Sequence, residues 1–544
     1  MDKLEPLDAL FVEAEDEDKN TSMAIASIAV FEGPAPSHEE VLALVADRLP
    51  LVPRYRQKLR TVPFRLGRPV WVDDPDFDLG YHVRRVAVPE PGGDQQLADV
   101  MAGVMSQRLD RDHPLWEYWL VEGLVRDRWA LISKVHHCMV DGIGGADQYR
   151  LLLEARPEPA EPAADIEAEQ APSAVSLVGA AAEDLMMLPV RQARALSDAL
   201  ADPANAMRQV NTAARAVGRL WPSLWPAVRS SLSGTIGQRR RYTWARASLE
   251  DVKAIKREFG GTVNDVVLAA ISSGFRALLL ERGEQPEPHE VPSLVPVSVR
   301  AQGDEGSFGN QVSATIADLP VHIPDPVERL AAVRAELDSL KASNEAVVGQ
   351  ALAVLGRYSP YPLSSWLVRL VFSVPQREVV TVTTNVPGPR QPLYWMGRRL
   401  EAIIPYVPIA SRVRTGISIF SYDGGIMFGI TGDYAANPDL DVMARGIEHG
   451  VSELLLAAGQ HAVARQAASA EQDTAGEQDT AGEQEAVAEQ KPAAEQKPAA
   501  GHEAPGEQKA AAKHHAAARQ KAAARQKAAA RQKAPAKHQA GAKH

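Results

Sequence analysis

The chain has a single cysteine, Cys138, in 544 residues. No disulfide can form within it, which excludes the stapled frameworks of small secreted domains and fits a reducing compartment. The opening "MDKLEPLDALFVEAEDEDKN" is acidic where a secretion signal needs a basic and then an apolar run, so no such signal is expected. No uncharged apolar stretch reaches about 18 residues, and a membrane-crossing helix is not expected. Contact with a membrane surface stays open. The net charge of −11 lacks the cationic excess of a nucleic-acid binder. From residue 461 onward there is no Phe, Trp or Tyr. Such a stretch cannot bury enough apolar area to offset its ordering entropy, and a disordered tail is expected over 461–544. That tail carries 13 Lys/Arg against 10 Asp/Glu, leaving 46 against 60 on residues 1–460. Its basic end, from Lys509, suits either an anionic partner or a solubilising role.

What is present is enough apolar sequence, 45% of the chain, for sizeable cores. At about 100–200 residues per domain, two large units are the economical division. Residues 1–155 mix both periodicities. Strands are expected at 21–33 and 129–137, and helices at 37–49, 92–110 and 145–155. Ser37 and Glu40 have the spacing of a capping box. Residues 156–175 are rich in Pro, Ala and Glu and read as a linker. A mostly helical connection follows over 176–238, ending near Trp221 and Trp225. Those two fit either core packing or a membrane-touching patch. A second α/β segment spans 239–460. It has a helix at 262–283, strands at 293–300 and 381–389, and two strands in 416–433 around an Asp-Gly-Gly turn.

The segment "KVHHCMVDGIGG" (134–145) carries the chemistry. A metal site is disfavoured: neighbouring histidines on a strand diverge, and no further ligand cluster accompanies them. The same divergence disfavours a Cys138 nucleophile served by His137. A general base is a third reading, because one imidazole at a strand end can project into a cleft. Asp141 would fix the turn, and Gly142 would allow close approach of a substrate. Two satisfied core histidines beside a Gly-rich turn explain the motif equally well.

The pattern "HHCMVDG" resembles the HHxxxDG motif of the CoA-dependent acyltransferase superfamily. "DHPLWEYWLVEGL", "VNDVVLAAISSGFRALL", "VPVSVR", "FGNQVSATIADLP" and "TNVPGP" resemble, in order, segments of the bacterial wax ester synthase/diacylglycerol acyltransferase family. So do "PLDALFVEAE", "VPRYRQKL" and "FDLGYHVRR". The resemblance covers residues 4–458. It implies an α/β (α+β) fold of two similar chloramphenicol-acetyltransferase-like domains, with the active site in a cleft or tunnel between them. It also implies acyl transfer from acyl-CoA, as co-substrate, to a diacylglycerol or fatty-alcohol hydroxyl, without a metal or other cofactor. A protein working in the cytoplasm would then meet its apolar substrates at a membrane or lipid-droplet surface. Besides Trp221 and Trp225, residues 361–374 would be an apolar candidate for that contact.

Within that resemblance His137 is the expected base, His136 its support, and Asp141 a structural residue with Arg300 as a possible partner. Asn264 and Asp265 are either helix caps or cleft residues, and Asn264 could donate to an oxyanion. Trp116 with Pro114 and Leu115 either packs the first domain or lines an acyl channel. Gly309, Asn310, Asn385, Pro387 and Gly388 are candidates for loops near the tunnel. Two other functions compete: a condensation-type enzyme using carrier-bound acyl groups, and a lipid-binding protein that keeps the fold without turnover.

Overall fold

The computed structural model describes residues 2–139, 230–298, 312–342 and 379–488, with scattered positions between 153 and 187. The expected linker, the helix at 145–155, nearly all of the helical connection and the apolar segment 361–374 lie outside these residues. The chain divides into a large unit, residues 1–467, and a second unit, residues 468–544.

In chain order the strands are β1 (Ala24–Glu32), β2 (Gln57–Arg60), β3 (Val70–Asp73), β4 (Val83–Ala87), β5 (Trp116–Leu124), β6 (Arg128–His136) and β7 (Arg240–Ser248). They continue with β8 (Val291–Ser298), β9 (Val312–Leu319), β10 (Thr381–Pro387), β11 (Tyr394–Trp395), β12 (Arg398–Tyr406), β13 (Thr415–Tyr422) and β14 (Gly425–Asp433). Two six-stranded mixed sheets result, ordered β11-β12-β1-β6-β5-β4 and β7-β14-β13-β10-β8-β9. Strands β2 and β3 form a separate hairpin.

Local signals set the elements where they were strongest. The helix His38–Arg48 starts at Ser37, whose hydroxyl accepts from the Glu40 amide while Glu40 accepts from the Ser37 amide. Strands β13 and β14 turn through Asp423 and Gly424, with φ of 42° and 84°. That left-handed pair is what a two-residue hairpin with the right-handed sheet twist requires. The helix Val263–Glu281 is apolar enough to cross a membrane by length and composition, yet thirteen of its residues between Asp265 and Leu279 are buried, nine of them in the second core. Its small residues admit the helix that begins at Leu440. A Cβ on Gly446 would lie 2.8 Å from the Ala277 Cβ, and one on Gly274 would lie 2.9 Å from the Met443 carbonyl oxygen.

The sequence segments and the sheets do not coincide. Strands β11 and β12 belong by sequence to 239–460, but β12 pairs antiparallel with β1, from Ala26 opposite Tyr406 to Phe31 opposite Leu400. The reason is burial on both sides. Ile403 and Ile404 are fully buried, and Trp395 joins Phe31 and Trp129, with ring centroids 5.7 and 5.5 Å away. Phe31 and Trp129 themselves stack at 4.4 Å. Each such pair contributes about 0.5–1.5 kcal/mol beyond its burial. The same strand touches the second sheet: the Pro405 carbonyl accepts from the Tyr242 hydroxyl at 2.6 Å. A Cβ on Gly429 would lie only 1.7 Å from that carbonyl oxygen, so the approach demands glycine.

The last helix runs from Leu440 to Ala488. Its start is nucleated by core residues such as Met443, Ile447 and Leu454, all fully buried. Propagation then needs only good helix formers, and the Ala-, Glu- and Gln-rich sequence supplies them. His461 and Arg465 both bind Glu258, at 2.6 and 2.9 Å, fastening this stretch to the helix Leu249–Phe259.

Candidate active site

Strand β6 delivers the two histidines. His136 is its last residue, opposite Ala24 of β1. Its amide donates to the Leu115 carbonyl at 2.9 Å, so the Pro-Leu-Trp segment fixes its height. The chain then tightens into a single 3-10 turn, His137–Met139. The His137 amide donates to the Met23 carbonyl at 3.0 Å.

The two imidazoles have different surroundings. His136 is buried, with 1% of its surface exposed. Its Nδ1 accepts from the Cys138 amide at 3.2 Å and lies 2.9 Å from the Cys138 sulfur. Burial pushes the Cys138 thiol up, with the charges of Asp8 and Glu15 adding to it, so the sulfur keeps its proton and can donate. This network assigns the ring hydrogen of His136 to Nε2. Nε2 faces a Glu15 oxygen at 3.3 Å, a polar contact rather than a well-aligned hydrogen bond. His137, by contrast, is half-buried, and Phe11 covers its ring with centroids 4.2 Å apart. Cys138 is buried and engaged with His136, an arrangement unsuited to a nucleophile.

Phe11 and Glu15 sit four residues apart on one face of the helix Pro6–Glu17. Sequence reasoning missed both as site residues. A signal existed: acids at helical spacing, Asp8 and Glu15, within an apolar stretch, both now 2% exposed. Glu15 is the centre of a polar cluster. One oxygen accepts from the Met23 amide at 2.6 Å, the other from Arg108 at 3.1 Å and Arg111 at 3.2 Å. Burial alone would raise its pKa. The facing His136 ring, the Met23 amide and Arg108 outweigh it and hold the carboxyl well below the usual carboxylate range. The two arginines also bind the Glu15 and Val12 carbonyls, putting cations at a helix C-terminus that has none of its own.

Lys134, fully buried two residues before the histidines, performs a similar service. Its ammonium donates to the Val104 and Gln107 carbonyls at 3.0 and 2.8 Å, at the end of the helix Asp94–Met105. Burial lowers its pKa, and Glu117, 3.5 Å away, opposes that shift.

The second sheet carries the other candidates. The helix cap is Thr262, not Asn264 or Asp265. The Thr262 hydroxyl accepts from the Asp265 amide at 3.2 Å, and Asp265 accepts from the Thr262 amide at 2.7 Å. Asp265 is thus the third residue of a capping box and serves the helix start. Asn264 is left free of that duty, and its carbonyl oxygen accepts from the Asn385 side chain at 3.2 Å. This contact brings two expected site residues together and leaves the Asn264 NH2 as a donor. Gly388 lies where a Cβ would sit 2.1 Å from the Ser421 carbonyl oxygen, while its amide donates to the Ser421 hydroxyl at 3.2 Å.

Trp116 is a packing residue. Its indole donates to the Tyr55 carbonyl at 2.8 Å, its ring stacks on His82 at 4.4 Å, and 1% of its surface is exposed. Of the two expected roles, these contacts support core packing. Asp141, Gly142, Arg300, Gly309 and Asn310 lie outside the described residues. Among the described residues no group of three or more His, Cys, Asp or Glu side chains is arranged to hold a metal ion.

Two mixed sheets stitched by a crossing strand, with a histidine pair where β6 ends, define an acyltransferase-type fold that solved structures share. The first condensation domain of the calcium-dependent antibiotic synthetase superposes with a TM-score of 0.51 at 16% identity, over 84% of this chain and 96% of that one. A wax ester synthase/diacylglycerol acyltransferase from Marinobacter aquaeolei superposes with a TM-score of 0.58 at 27% identity, over 84% of this chain and all of that one. A Mycobacterium tuberculosis protein named as a probable diacylglycerol O-acyltransferase is 41% identical over 468 residues, 86% of this chain and 98% of that protein. The family model of the wax ester synthase/diacylglycerol acyltransferase catalytic domain matches residues 4–267, and that of the WS/DGAT C-terminal domain matches residues 308–455. The chain belongs to the wax ester synthase/diacylglycerol acyltransferase family.

Proposed function

We propose that this acyltransferase moves a long-chain acyl group from acyl-CoA to the free hydroxyl of a diacylglycerol, with long-chain alcohols as a second acceptor class. The observation that carries the reading is the division of labour in the histidine pair. His136 is buried and tied to Cys138 and Glu15, while His137, at the strand end, is half-buried beneath Phe11. Identity of 41% across almost the whole of a relative named for diacylglycerol acylation supports the acceptor.

His137 acts as the base. It takes the hydroxyl proton as the oxygen attacks the thioester carbonyl carbon. The tetrahedral oxyanion then collapses, the carbon–sulfur bond breaks, and the proton passes from His137 to the departing thiolate, giving free CoA and the ester. The thioester is already activated, so no covalent enzyme intermediate, metal or further cofactor is invoked. The Asn264 NH2, left as a donor while its carbonyl accepts from Asn385, is suited to donating to the oxyanion. Asp141 orients the loop after the histidines. The protein works in the cytoplasm, at the surface of a membrane or lipid droplet, where its substrates reside.

The test is CoA release from palmitoyl-CoA with dioleoylglycerol or hexadecanol supplied separately. Turnover by the wild type that falls ~10²–10⁴-fold in His137→Ala supports the base. Undiminished turnover in that variant moves the chemistry elsewhere. No turnover by the wild type with either acceptor overturns the reaction.

A further inference from the structure

The hairpin β2–β3 is joined by residues 61–69, "TVPFRLGRP", and its tip is unusual in two ways. Phe64 is 90% exposed, the highest value among the large apolar side chains of the described residues. Its backbone is left-handed, with φ 57° and ψ 14°, and Arg65 follows at φ 54°. Glycine or asparagine occupies that region most cheaply, and a bulky aromatic does not. The protein thus carries both an exposed ring and a strained backbone at one residue.

The tip is also firmly held. The Arg65 guanidinium binds Glu13 and Asp16 on the helix Pro6–Glu17, each at 3.2 Å. Arg68 donates to the Leu4 carbonyl at 2.7 Å, and the Leu4 amide donates to the Pro69 carbonyl at 2.9 Å. The residue beside Phe64 is therefore clamped to the helix whose Phe11 covers His137 and whose Glu15 faces His136. Leu66, 40% exposed, adds apolar surface next to it. Residues 54–68 contain Arg54, Arg56, Lys58, Arg60, Arg65 and Arg68 and no acid, and Arg60 is exposed.

We infer that the tip 61–69 is a lipid-insertion element, with Phe64 entering the apolar layer and Arg60 meeting headgroup phosphates. The inference rests on the proposed reaction, whose acceptor is dissolved in a lipid phase. A lone convex ring suits a lipid surface, which accepts one side chain at a time. A protein partner would need a patch on the order of 800 Å². The exposed Arg60 at the base of the tip complements phosphate headgroups. A single inserted side chain gives weak, reversible binding, which lets the protein return to the aqueous phase for acyl-CoA. Through Arg65, insertion would seat the histidine-bearing end of the molecule at the lipid boundary.

The experiment is flotation of the full chain with phosphatidylcholine vesicles carrying dioleoylglycerol, comparing wild type with Phe64→Gly and Phe64→Trp. Phe64→Gly is expected to raise the unfolding midpoint, because glycine relieves the left-handed strain, yet to lower partitioning about tenfold or more. Phe64→Trp is expected to partition at least as well as the wild type. CoA release with vesicle-borne dioleoylglycerol should fall in Phe64→Gly, while release with dissolved hexanol stays unchanged. Equal flotation of wild type and Phe64→Gly overturns the insertion element. Absent turnover of hexanol and dioleoylglycerol by the wild type overturns the underlying reaction instead. A fluorophore attached to F64C reports insertion independently, since Cys138 is buried, and an unshifted emission on adding vesicles also overturns the inference.

Discussion

Glu15→Gln probes the foundation under the histidine pair. The substitution keeps the shape and one acceptor oxygen, so the Met23 amide stays satisfied. It removes the charge that faces His136, Arg108 and Arg111. Breaking a buried charge cluster costs about 3–5 kcal/mol when a partner is left buried and unpaired. Here both arginines have 29% of their side chains exposed and keep other acceptors, Asp16 and the Glu15 and Val12 carbonyls. Rehydration trims the loss, and about 2 kcal/mol is expected for Gln, with more for Leu. The pH dependence carries a sign. The folded pKa of Glu15 is depressed, so its stabilisation is complete above the ordinary unfolded value of about 4.3 and is lost as pH falls below that toward the folded value. Urea unfolding of wild type and Glu15→Gln should differ clearly at neutral pH and converge on acidification. CoA release should fall as well, because the Glu15 charge holds the arginines and the His136 ring in place. Equal urea midpoints at neutral pH, or a gap that persists unchanged in acid, would refute the reasoning.

Other perturbations separate structure from chemistry. His137→Ala should abolish most CoA release while leaving the unfolding midpoint within about 1 kcal/mol, since the ring is half-buried; a circular-dichroism melt and a turnover assay decide it. Cys138→Ala should stay active, with a modest stability loss from its contact with His136, and an inactive but folded variant would reopen thiol chemistry. Gly429→Ala should destabilise by at least 2–3 kcal/mol or prevent folding, because the Pro405 carbonyl occupies the space a Cβ needs; soluble expression and chemical denaturation measure this. Removing residues 468–544 should leave acyl transfer intact. A cut at 461 should lower the melting temperature, because it deletes the His461 and Arg465 contacts to Glu258.

What the sequence made legible was local. Ser37 with Glu40, and Asp423 with Gly424, declare a helix start and a hairpin within four residues, and the structure has both. The histidine pair was legible as a motif, but the roles of its neighbours were not. Glu15 meets His136 across about 120 residues of chain, and Asn264 meets Asn385 across 121. No periodicity encodes such meetings. Thr262 outcompetes Asn264 for the cap because its hydroxyl and Asp265 satisfy each other, a choice that residue type alone leaves open. Trp116 shows the opposite limit. Its family pattern is recognisable, yet only the enclosing rings of His82 and Tyr55 reveal a packing role.

The strand exchange has a consequence for the nascent chain. Strand β1 leaves the ribosome early, but its neighbour β12 is about 380 residues behind it. Until Tyr406 emerges, one edge of β1 exposes unpaired amides and carbonyls beside the apolar surface of Phe31 and Trp129. Such an edge is a template for pairing with the wrong chain. Completion of the first sheet therefore waits for β12. Fragments ending before about residue 407 should be insoluble on their own, and expressing the two sequence halves as separate soluble pieces should fail unless both are made together.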